Sequence, residues 1–400
     1  MRSTHLFVSS ILAMSSSNSF AWLSSKKQSV ETAVALLDSV YGPINHENFP
    51  LPMPASEAGL CADGYQRRYL WTDAFGVLAY TSLADFYENE KNDDDDDGMD
   101  HNNKSKMYRQ AADRLIATVH QTLGRPRSNH PDDEMKVDAT SPTGFVGLRI
   151  GKVLSRKVTD YGMQYDGMYW HYMDKWLFAL ARAPGHAEQG IRLAKSVFGH
   201  FFDAGPKQDG HGGGMRWKLS VDATPPAALK HVRGANDDTL VALIVFELLQ
   251  HAVQEQDTSG TSLSLVNEIA LLRNALQSYQ PRVTDDPLGW GLEGIFDQYL
   301  IGQPRSQALA SLASSALNPY HLSLPFRLYG ALIGARTAGA SVASPNAVDR
   351  LVNLSLEHEA QAQARGETEH SSINRVMLAM CLLCPGGALT RKFEDPLIRI

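Results

Sequence analysis

Three segments of the sequence place an aspartate where a helix is predicted to begin, with aromatic or small residues beside it. The segments are 71–76 (WTDAFG), 165–170 (YDGMYW) and 234–239 (GANDDT). A carboxylate can donate or accept a proton, and neighbouring rings can stack on a sugar, so the pattern is typical of a carbohydrate site. Aspartate is also one of the preferred N-cap residues of helices. The sequence leaves both interpretations open.

Asp166 begins the segment with the highest density of rings, 166–176 (DGMYWHYMDKW). On a helix, Asp166, Tyr169 and Trp170 share one face, and His171 lies on the opposite face. Burial against rings raises the pKa of a carboxyl group. We therefore predict that Asp166 is a general acid and that Tyr169, Trp170 and His171 contact substrate. The alternative is an aromatic stripe of the core.

Asp73 follows Arg68 by five residues and Trp71 by two. This setting predicts a carboxylate in a cleft, with Trp71 as a sugar platform and Arg68 as a substrate contact. A helix N-terminus favours an ionised carboxylate. Asp73 or Asp238 is therefore the predicted catalytic base. For both residues the alternative is a helix cap.

Basic side chains lie in the long connections between predicted helices. Arg149 and Lys152 lie in the connection 124–164, and Arg216 and Lys218 flank Trp217 in the connection 203–235. Such groups bind hydroxyl, carboxylate or phosphate oxygens. We predict substrate contacts at Arg149, Lys152 and Arg216.

Helical periodicity dominates the chain. The predicted helices are 30–42, 69–88, 106–123, 165–183, 188–202, 236–254, 264–280, 290–300, 305–317, 324–339, 345–364 and 371–384. One strand is predicted, at 215–221. Twelve helices in hairpins predict an all-α fold, an (α/α)6 barrel, as one domain over 30–400. An open helical solenoid is the alternative, but no repeat of fixed period supports it. Residues 43–68, 124–164 and 203–235 are long connections, and we expect the last two to form cleft walls. The Asp-rich segment 92–106 is expected to be a solvated, disordered insertion.

The helix count, segment 71–73 and segment 166–176 together resemble the six-hairpin glycosidase-like superfamily over residues 30–384. Its members include glucoamylases, unsaturated glucuronyl hydrolases and the related N-acylglucosamine epimerases. The resemblance implies an (α/α)6 barrel whose site lies where the inner helices begin, ringed by aromatic residues. It also implies that Asp73, Asp166 and Asp238 face one cleft.

Three functions follow as hypotheses. The first is a glycoside hydrolase that uses paired aspartates. The second is a sugar epimerase or isomerase in which His171 or His321 is the base. The third is a non-hydrolytic protein, either a helical enzyme of isoprenoid or other small-molecule chemistry or a binding protein. The pair Asp237–Asp238 lacks the further acidic residues that terpene synthases carry one turn later. We expect no metal and no cofactor.

The composition and the N-terminal residues limit which binding partners and which cellular location we expect. The net charge of −7 comes without a basic stripe, which argues against a nucleic-acid partner. No apolar run approaches the length of a membrane span. Arg2, the apolar run 6–14 and the small residues around Phe20 predict a targeting segment over 1–29. The expected location is the secretory pathway or the exterior. Import into a plastid through a bipartite signal is the alternative.

Overall fold

A computed structural model describes eleven parts of the chain. They are 26–58, 67–89, 101–127, 135–152, 154, 165–205, 213–226, 236–256, 263–277, 279–367 and 369–400. The predicted targeting segment lies outside the described residues except for its last four positions. Most of the predicted insertion also lies outside them.

The described residues form twelve α-helices, which confirms the predicted all-α class. The helices are α1 Lys26–Tyr41, α2 Leu70–Asn89, α3 His101–Leu123, α4 Trp170–Arg182, α5 Ala187–Phe201, α6 Asn236–Gln256, α7 Val266–Ala275, α8 Pro287–Asp297, α9 Ser306–Ala316, α10 Pro325–Ala338, α11 Pro345–Ala364 and α12 Ser371–Leu383. Two 3-10 turns, Pro319–Ser323 and Gly387–Leu389, complete the helical structure. None of the described helices is long and apolar enough to span a membrane.

Local sequence signals explain several helix boundaries. Proline occupies the first turn of α8, α10 and α11, where its missing N–H is no loss. Gly42 follows α1 and Gly339 follows α10, both with positive φ, a conformation in which glycine has no side-chain clash. These positions are visible in the sequence, and the predicted boundaries there are correct to within a few residues.

Two helix starts differ from the prediction by five residues. Helix α3 begins at His101, so residues 101–106 of the predicted insertion are helical. Helix α4 begins at Trp170 and not at 165, because Met168–Tyr169 pairs with Lys218–Leu219 as two antiparallel strands, β1 and β4. The pair β2 Phe202–Asp203 and β3 Gly214–Met215 is also antiparallel. The single predicted strand 215–221 is thus divided between β3 and β4.

The helices alternate between two kinds of burial. The even-numbered helices carry long buried runs, whereas the odd-numbered helices bury one face at a spacing of three and four residues. The buried runs are 70–84, 172–180, 239–246, 293–297, 328–335 and 376–382. Helix α2 packs against α4 and α12, α4 against α6, and α10 against both α8 and α12. The even-numbered helices therefore form the interior of the molecule.

The contact between α8 and α10 uses glycine on both sides. A Cβ atom at Gly291 would lie 2.1 Å from the carbonyl oxygen of Gly330, and one at Gly334 would lie 2.3 Å from the carbonyl oxygen of Gly291. Gly291 of α8 and Gly334 of α10 thus allow the two helix backbones to pack directly against each other.

We expect Gly291→Ala to lower the free energy of unfolding by about 1–3 kcal/mol, because the added methyl group must push α8 and α10 apart. Urea unfolding followed by circular dichroism measures the change. Gly199→Ala is the matched control, since Gly199 lies in α5 with no atom within 4 Å of its Cβ position. There the exchange should be neutral or stabilise by up to about 1 kcal/mol. Equal effects of the two changes would contradict the close-contact explanation.

Candidate functional site

A cavity of about 830 Å³ lies where the even-numbered helices begin. Its lining takes residues from the first two turns of α2, α4, α6, α8, α10 and α12. The segments between the helices contribute the other lining residues, which are Tyr69, Ile150, Lys152, Leu154, Tyr169, Trp217, Lys218, Thr284 and Asp286. Helix N-termini bring unpaired N–H groups and positive potential, so their convergence suits polar ligands.

The predicted site residues divide into two groups. Asp238, Trp71, Tyr169, His171 and Lys152 line the cavity. Asp73, Asp166, Arg68, Trp170, Arg149 and Arg216 lie outside its lining. Of the three predicted aspartates, the structure therefore brings only Asp238 to this cavity.

Asp166 is the centre of a buried ion cluster. Its Oδ2 accepts hydrogen bonds from Arg127 Nε at 2.8 Å and from Arg149 at 2.7 Å. Its Oδ1 accepts one from the backbone N–H of Gly151 at 2.9 Å. Asp166 and Arg149 are almost completely buried. Two guanidinium groups thus hold the ionised carboxylate and join the connection at 151 to the start of β1. This geometry favours a structural role for Asp166 over that of a proton donor.

Asp73 serves the start of α2. Its Oδ2 accepts a hydrogen bond from the backbone N–H of Tyr69 at 3.2 Å, and its Oδ1 lies 3.5 Å from Arg68. Burial raises the pKa of Asp73 to about 6, although the Arg68 guanidinium opposes the shift. Arg68 in turn donates to the carbonyl of Leu51. Asp73 and Arg68, which were predicted to lie in a cleft, therefore form a buried capping arrangement outside the cavity lining.

Trp170 and Arg216 also act away from the cavity lining. Trp170 Nε1 donates to the main-chain oxygen of Asp238 at 3.0 Å, and its ring packs on Phe201. Arg216 pairs with Asp203 of β2 at 3.3 Å. Trp170 therefore supports the first turn of α6, which carries Asp238.

One wall of the cavity is acidic, and its main residue was not predicted. Glu293 of α8 accepts a hydrogen bond from the backbone N–H of Thr284 at 3.0 Å. Burial raises the pKa of Glu293 to about 7, and the neighbouring Asp237 carboxylate adds to the shift. Asp237 accepts from Tyr279 Oη at 2.6 Å and lies 3.3 Å from Arg305. The available signal was a glutamate in a helix that is otherwise apolar up to its last residue, Asp297.

Asp286 extends this acidic wall and caps α8. Its Oδ1 accepts from the backbone N–H of Gly289 at 2.9 Å, and its Oδ2 pairs with Arg327 of α10. Pro287 follows as the first helical residue. Asp286 is therefore a helix-start aspartate that caps its helix, at a position that sequence analysis did not select.

Another part of the lining consists of three tyrosines and two lysines. The ammonium of Lys152 lies 5.2 Å from the ring centroid of Tyr69, and that of Lys218 lies 4.1 Å from the centroid of Tyr169. The two strands set the second contact, since Tyr169 and Lys218 are opposite each other in register. Tyr172 packs between the two tyrosines, with both ring centroids at 5.6 Å. We call these five residues the lysine–tyrosine wall.

Burial changes the titration of the lysines and of a nearby histidine. It lowers the pKa of Lys218 to about 8 and also lowers the pKa of Lys152. Burial, aided by the ammonium groups of Lys175 and Lys218, lowers the pKa of His171 to about 3. His171 is therefore neutral at physiological pH.

Asp174 and Lys175 form a third charged group in the lining. Lys175 Nζ donates to Asp174 Oδ1 at 2.7 Å. Asp174 Oδ2 is buried and has no hydrogen-bond partner among the described residues. Burial raises the pKa of Asp174, against the influence of Lys175. This oxygen is placed to accept a hydrogen bond from a ligand hydroxyl.

Trp71 adds an indole ring to the cavity lining. Its ring centroid lies 5.3 Å from that of Tyr172 and 6.3 Å from that of His171. Trp71 Nε1 is buried without a partner among the described residues.

Within the part of the chain that the structure describes, no group of three or more His, Cys, Asp or Glu residues is placed to hold a metal ion. Comparisons with protein-family models, curated proteins and solved structures found no match to the chain.

We expect Asp166→Asn to lower the free energy of unfolding by about 3–5 kcal/mol, because two buried guanidinium groups lose their counter-charge. Chemical denaturation measures the loss. Glu188→Gln, which removes a surface ion pair within α5, is the control and should change stability by less than about 1 kcal/mol. A stable Asp166→Asn protein would contradict the structural role. If turnover per folded molecule also fell by more than about tenfold, the role of general acid would regain support.

Proposed function

We propose that the protein is a carbohydrate-active enzyme, a glycoside hydrolase in which Glu293 is the general acid and Asp238 is the base or nucleophile. We also propose that the twelve helices close as an (α/α)6 barrel of the six-hairpin glycosidase-like kind. The observation that carries the functional proposal is the elevated pKa of Glu293, about 7, in a cavity that also contains Asp238 and a cluster of aromatic rings.

The alternation of helices supports the barrel. Helix α2 is the first of the buried helices and α12 is the last, and the two pack against each other. In an open solenoid, the first and last units would lie at opposite ends. The lining of the cavity by the starts of all six even-numbered helices is also what a barrel mouth requires.

The surroundings of the Glu293 and Asp238 carboxyl groups differ in the way that glycoside hydrolysis requires. A glycosidase needs one protonated carboxyl group to donate to the leaving oxygen and one ionised carboxylate to attack or to activate water. With a pKa of about 7, Glu293 is about half protonated at neutral pH. Asp238 lies in the first turn of α6, where the helix dipole favours the ionised form.

The proposed reaction begins with proton transfer from Glu293 to the glycosidic oxygen as the bond to the anomeric carbon breaks. The positive charge that develops on the sugar ring is stabilised by the Asp238 carboxylate. Water then supplies a hydroxyl group to the anomeric carbon, and its second proton returns to a carboxylate. Trp71 and Tyr172 offer ring surfaces to the sugar, and Asp174 Oδ2 accepts from a hydroxyl.

The histidine-based epimerase receives less support. His171 lines the cavity, but its pKa of about 3 makes it a weak acceptor for a proton on carbon. His321 lies in the turn Pro319–Ser323, outside the lining, and its Nε2 is 3.1 Å from the main-chain oxygen of Ser315. The hydrolase is therefore the better account of the cavity.

We expect Glu293→Gln to reduce turnover of an oligosaccharide by about 100-fold or more, since general acid catalysis contributes about 10²–10⁴. The loss on a dinitrophenyl glycoside should stay below about tenfold, because that leaving group needs no proton. A panel of oligosaccharides and aryl glycosides, assayed for reducing-sugar and dinitrophenol release, identifies the substrate first.

Glu359→Gln is the matched control for this variant. Glu359 of α11 is also buried, and burial raises its pKa to about 7, but it contacts Tyr329 and Arg375 outside the cavity lining. Its substitution should leave turnover unchanged. Equal losses on both leaving groups in Glu293→Gln, or no loss on either, would reject Glu293 as the acid.

The rate of the unsubstituted enzyme should fall as pH rises through about 7, because Glu293 then loses the proton that it must donate. In Glu293→Gln this decline should disappear. Stability should follow the same direction. A carboxyl group whose pKa is raised by folding favours the folded state at low pH, and that contribution is lost between about 4.5 and about 7. Denaturation at several pH values should show a flatter dependence in both variants, Glu293→Gln and Glu359→Gln.

A further inference from the structure

The cavity reaches furthest into the molecule along α4, α6 and α8. On these three helices the lining includes residues of the second turn, which are Asp174, Lys175, Val241, Leu292 and Glu293. On α2, α10 and α12 the lining ends within the first turn. The polar members of the second-turn set are Asp174, Lys175 and Glu293. They therefore mark the inner end of the cavity.

Aromatic rings fill the space below this inner end. Phe178 of α4 and Phe296 of α8 are buried, and their ring centroids lie 5.3 Å apart. Phe178 follows Asp174 by about one turn, and Phe296 follows Glu293 by about one turn. The ammonium of Lys175 lies 5.2 Å from the centroid of the Phe296 ring. Asp174 and Lys175, which we call the floor pair, thus lie at the contact between α4 and α8, beside the turn that carries Glu293.

The floor pair leaves one carboxylate oxygen without a partner. Lys175 Nζ donates to Asp174 Oδ1 at 2.7 Å, and the side chains of Lys175 and Asp174 are only 6% and 1% exposed. Asp174 Oδ2 is buried without a hydrogen-bond partner among the described residues. A buried acceptor that stays unsatisfied is unfavourable, and more so when it is charged. A ligand that brings a donor to Oδ2 would remove this cost.

Ring contacts connect the floor pair to the sugar platform of the proposed function. His171 precedes Lys175 by four residues on α4, so the two side chains share a helix face. Burial lowers the pKa of His171, and the nearby Lys175 ammonium adds to the shift. The ring centroid of Trp71 lies 6.3 Å from that of His171. A sugar beside Trp71 therefore lies about one helical turn from the floor pair, and one of its hydroxyl groups can point towards Asp174.

We propose that Asp174 Oδ2 accepts a hydrogen bond from one hydroxyl group of the substrate and makes the enzyme specific for a neutral sugar on which that hydroxyl is free. This inference rests on the proposed function and names its substrate class. A deoxy sugar leaves the buried oxygen unpaired, and a site built to bind a hydroxyl rejects such an analogue strongly. An O-methyl sugar has no proton to donate. A sulfate ester brings a second negative charge to a carboxylate whose one ion-pair partner among the described residues is Lys175.

The test measures the affinity of matched methyl glycosides for the full chain by nuclear magnetic resonance titration. Methyl glycosides of glucose, galactose, mannose and xylose, in both anomeric forms, identify the parent sugar. Each hydroxyl of the parent is then replaced in turn by hydrogen, by fluorine and by a methoxy group. At one position all three replacements should weaken binding by about tenfold or more, which is the loss expected for a hydrogen bond to a charged group.

The fluoro sugars identify which member of the floor pair is bound. Fluorine accepts a hydrogen bond weakly and donates none. If the hydroxyl donates to Asp174, the fluoro sugar should bind as poorly as the deoxy sugar. If the hydroxyl instead accepted from the Lys175 ammonium, the fluoro sugar would retain part of the affinity, and that result would overturn the inference.

A double variant locates the interaction. Asp174→Leu with Lys175→Met removes both charges and keeps side chains of similar size, so no unpaired charge stays buried. The parent sugar should then bind about tenfold more weakly, and its deoxy form should bind as before, whereas a folding defect would weaken both alike. Asp113→Asn removes an exposed carboxylate of α3, which pairs with His186 outside the cavity lining, and should leave the preference unchanged. The deoxy and fluoro series uses the unsubstituted protein, so it decides the question even if the double variant does not fold.

The inference is overturned if no methyl glycoside binds, if every deoxy sugar binds as its parent does, or if the preference survives in the double variant. Its failure is distinguishable from that of the hydrolase. If glycosides are cleaved with dependence on Glu293 while all deoxy sugars bind normally, the function stands and the hydroxyl specificity is wrong. If the hydroxyl preference depends on Asp174 but no glycoside is cleaved, the specificity stands and the hydrolase is wrong.

Discussion

The complete burial of alternate helices is the constraint on which the rest of the molecule depends. A helix enclosed on all sides along most of its length can carry polar side chains only where its surroundings open or where a specific partner is present. In the even-numbered helices, the first turns reach the cavity, and the buried runs are mostly apolar. The packing that stabilises the fold therefore also collects polar groups at one end. Glycines at the α8–α10 contact show how closely this packing is set.

The same burial determines the chemistry of the groups at that end. Glu293, Lys218 and His171 all have pKa values shifted towards their neutral forms, and desolvation is the largest cause in each case. A carboxyl group and an ammonium group that titrate nearer neutrality can exchange protons where ordinary ones would not. Asp166 shows the contrasting solution, in which two guanidinium groups compensate a buried charge and leave it without access to the cavity.

The cavity also takes charged groups of both signs from different elements of the fold. The acidic wall is held by α6 and α8 and by Arg305 behind them, whereas the lysine–tyrosine wall is held by the β1–β4 pair and the starts of α2 and α4. The acidic wall carries the proposed acid–base roles of Glu293 and Asp238.

The sequence by itself determined the all-α class and the approximate position of every described helix, because apolar spacing, proline and glycine act locally. It also indicated that Trp71, Tyr169, His171, Lys152 and Asp238 belong near a site, and they line the cavity. Only the tertiary structure decided which carboxylates face that cavity. The helix-start pattern is the same for Asp73 and Asp238, but one lies against Arg68 inside the protein and the other at the cavity. No local motif in the sequence marks Glu293. Its raised pKa depends on burial and on residues far apart in the chain, which only the fold brings together.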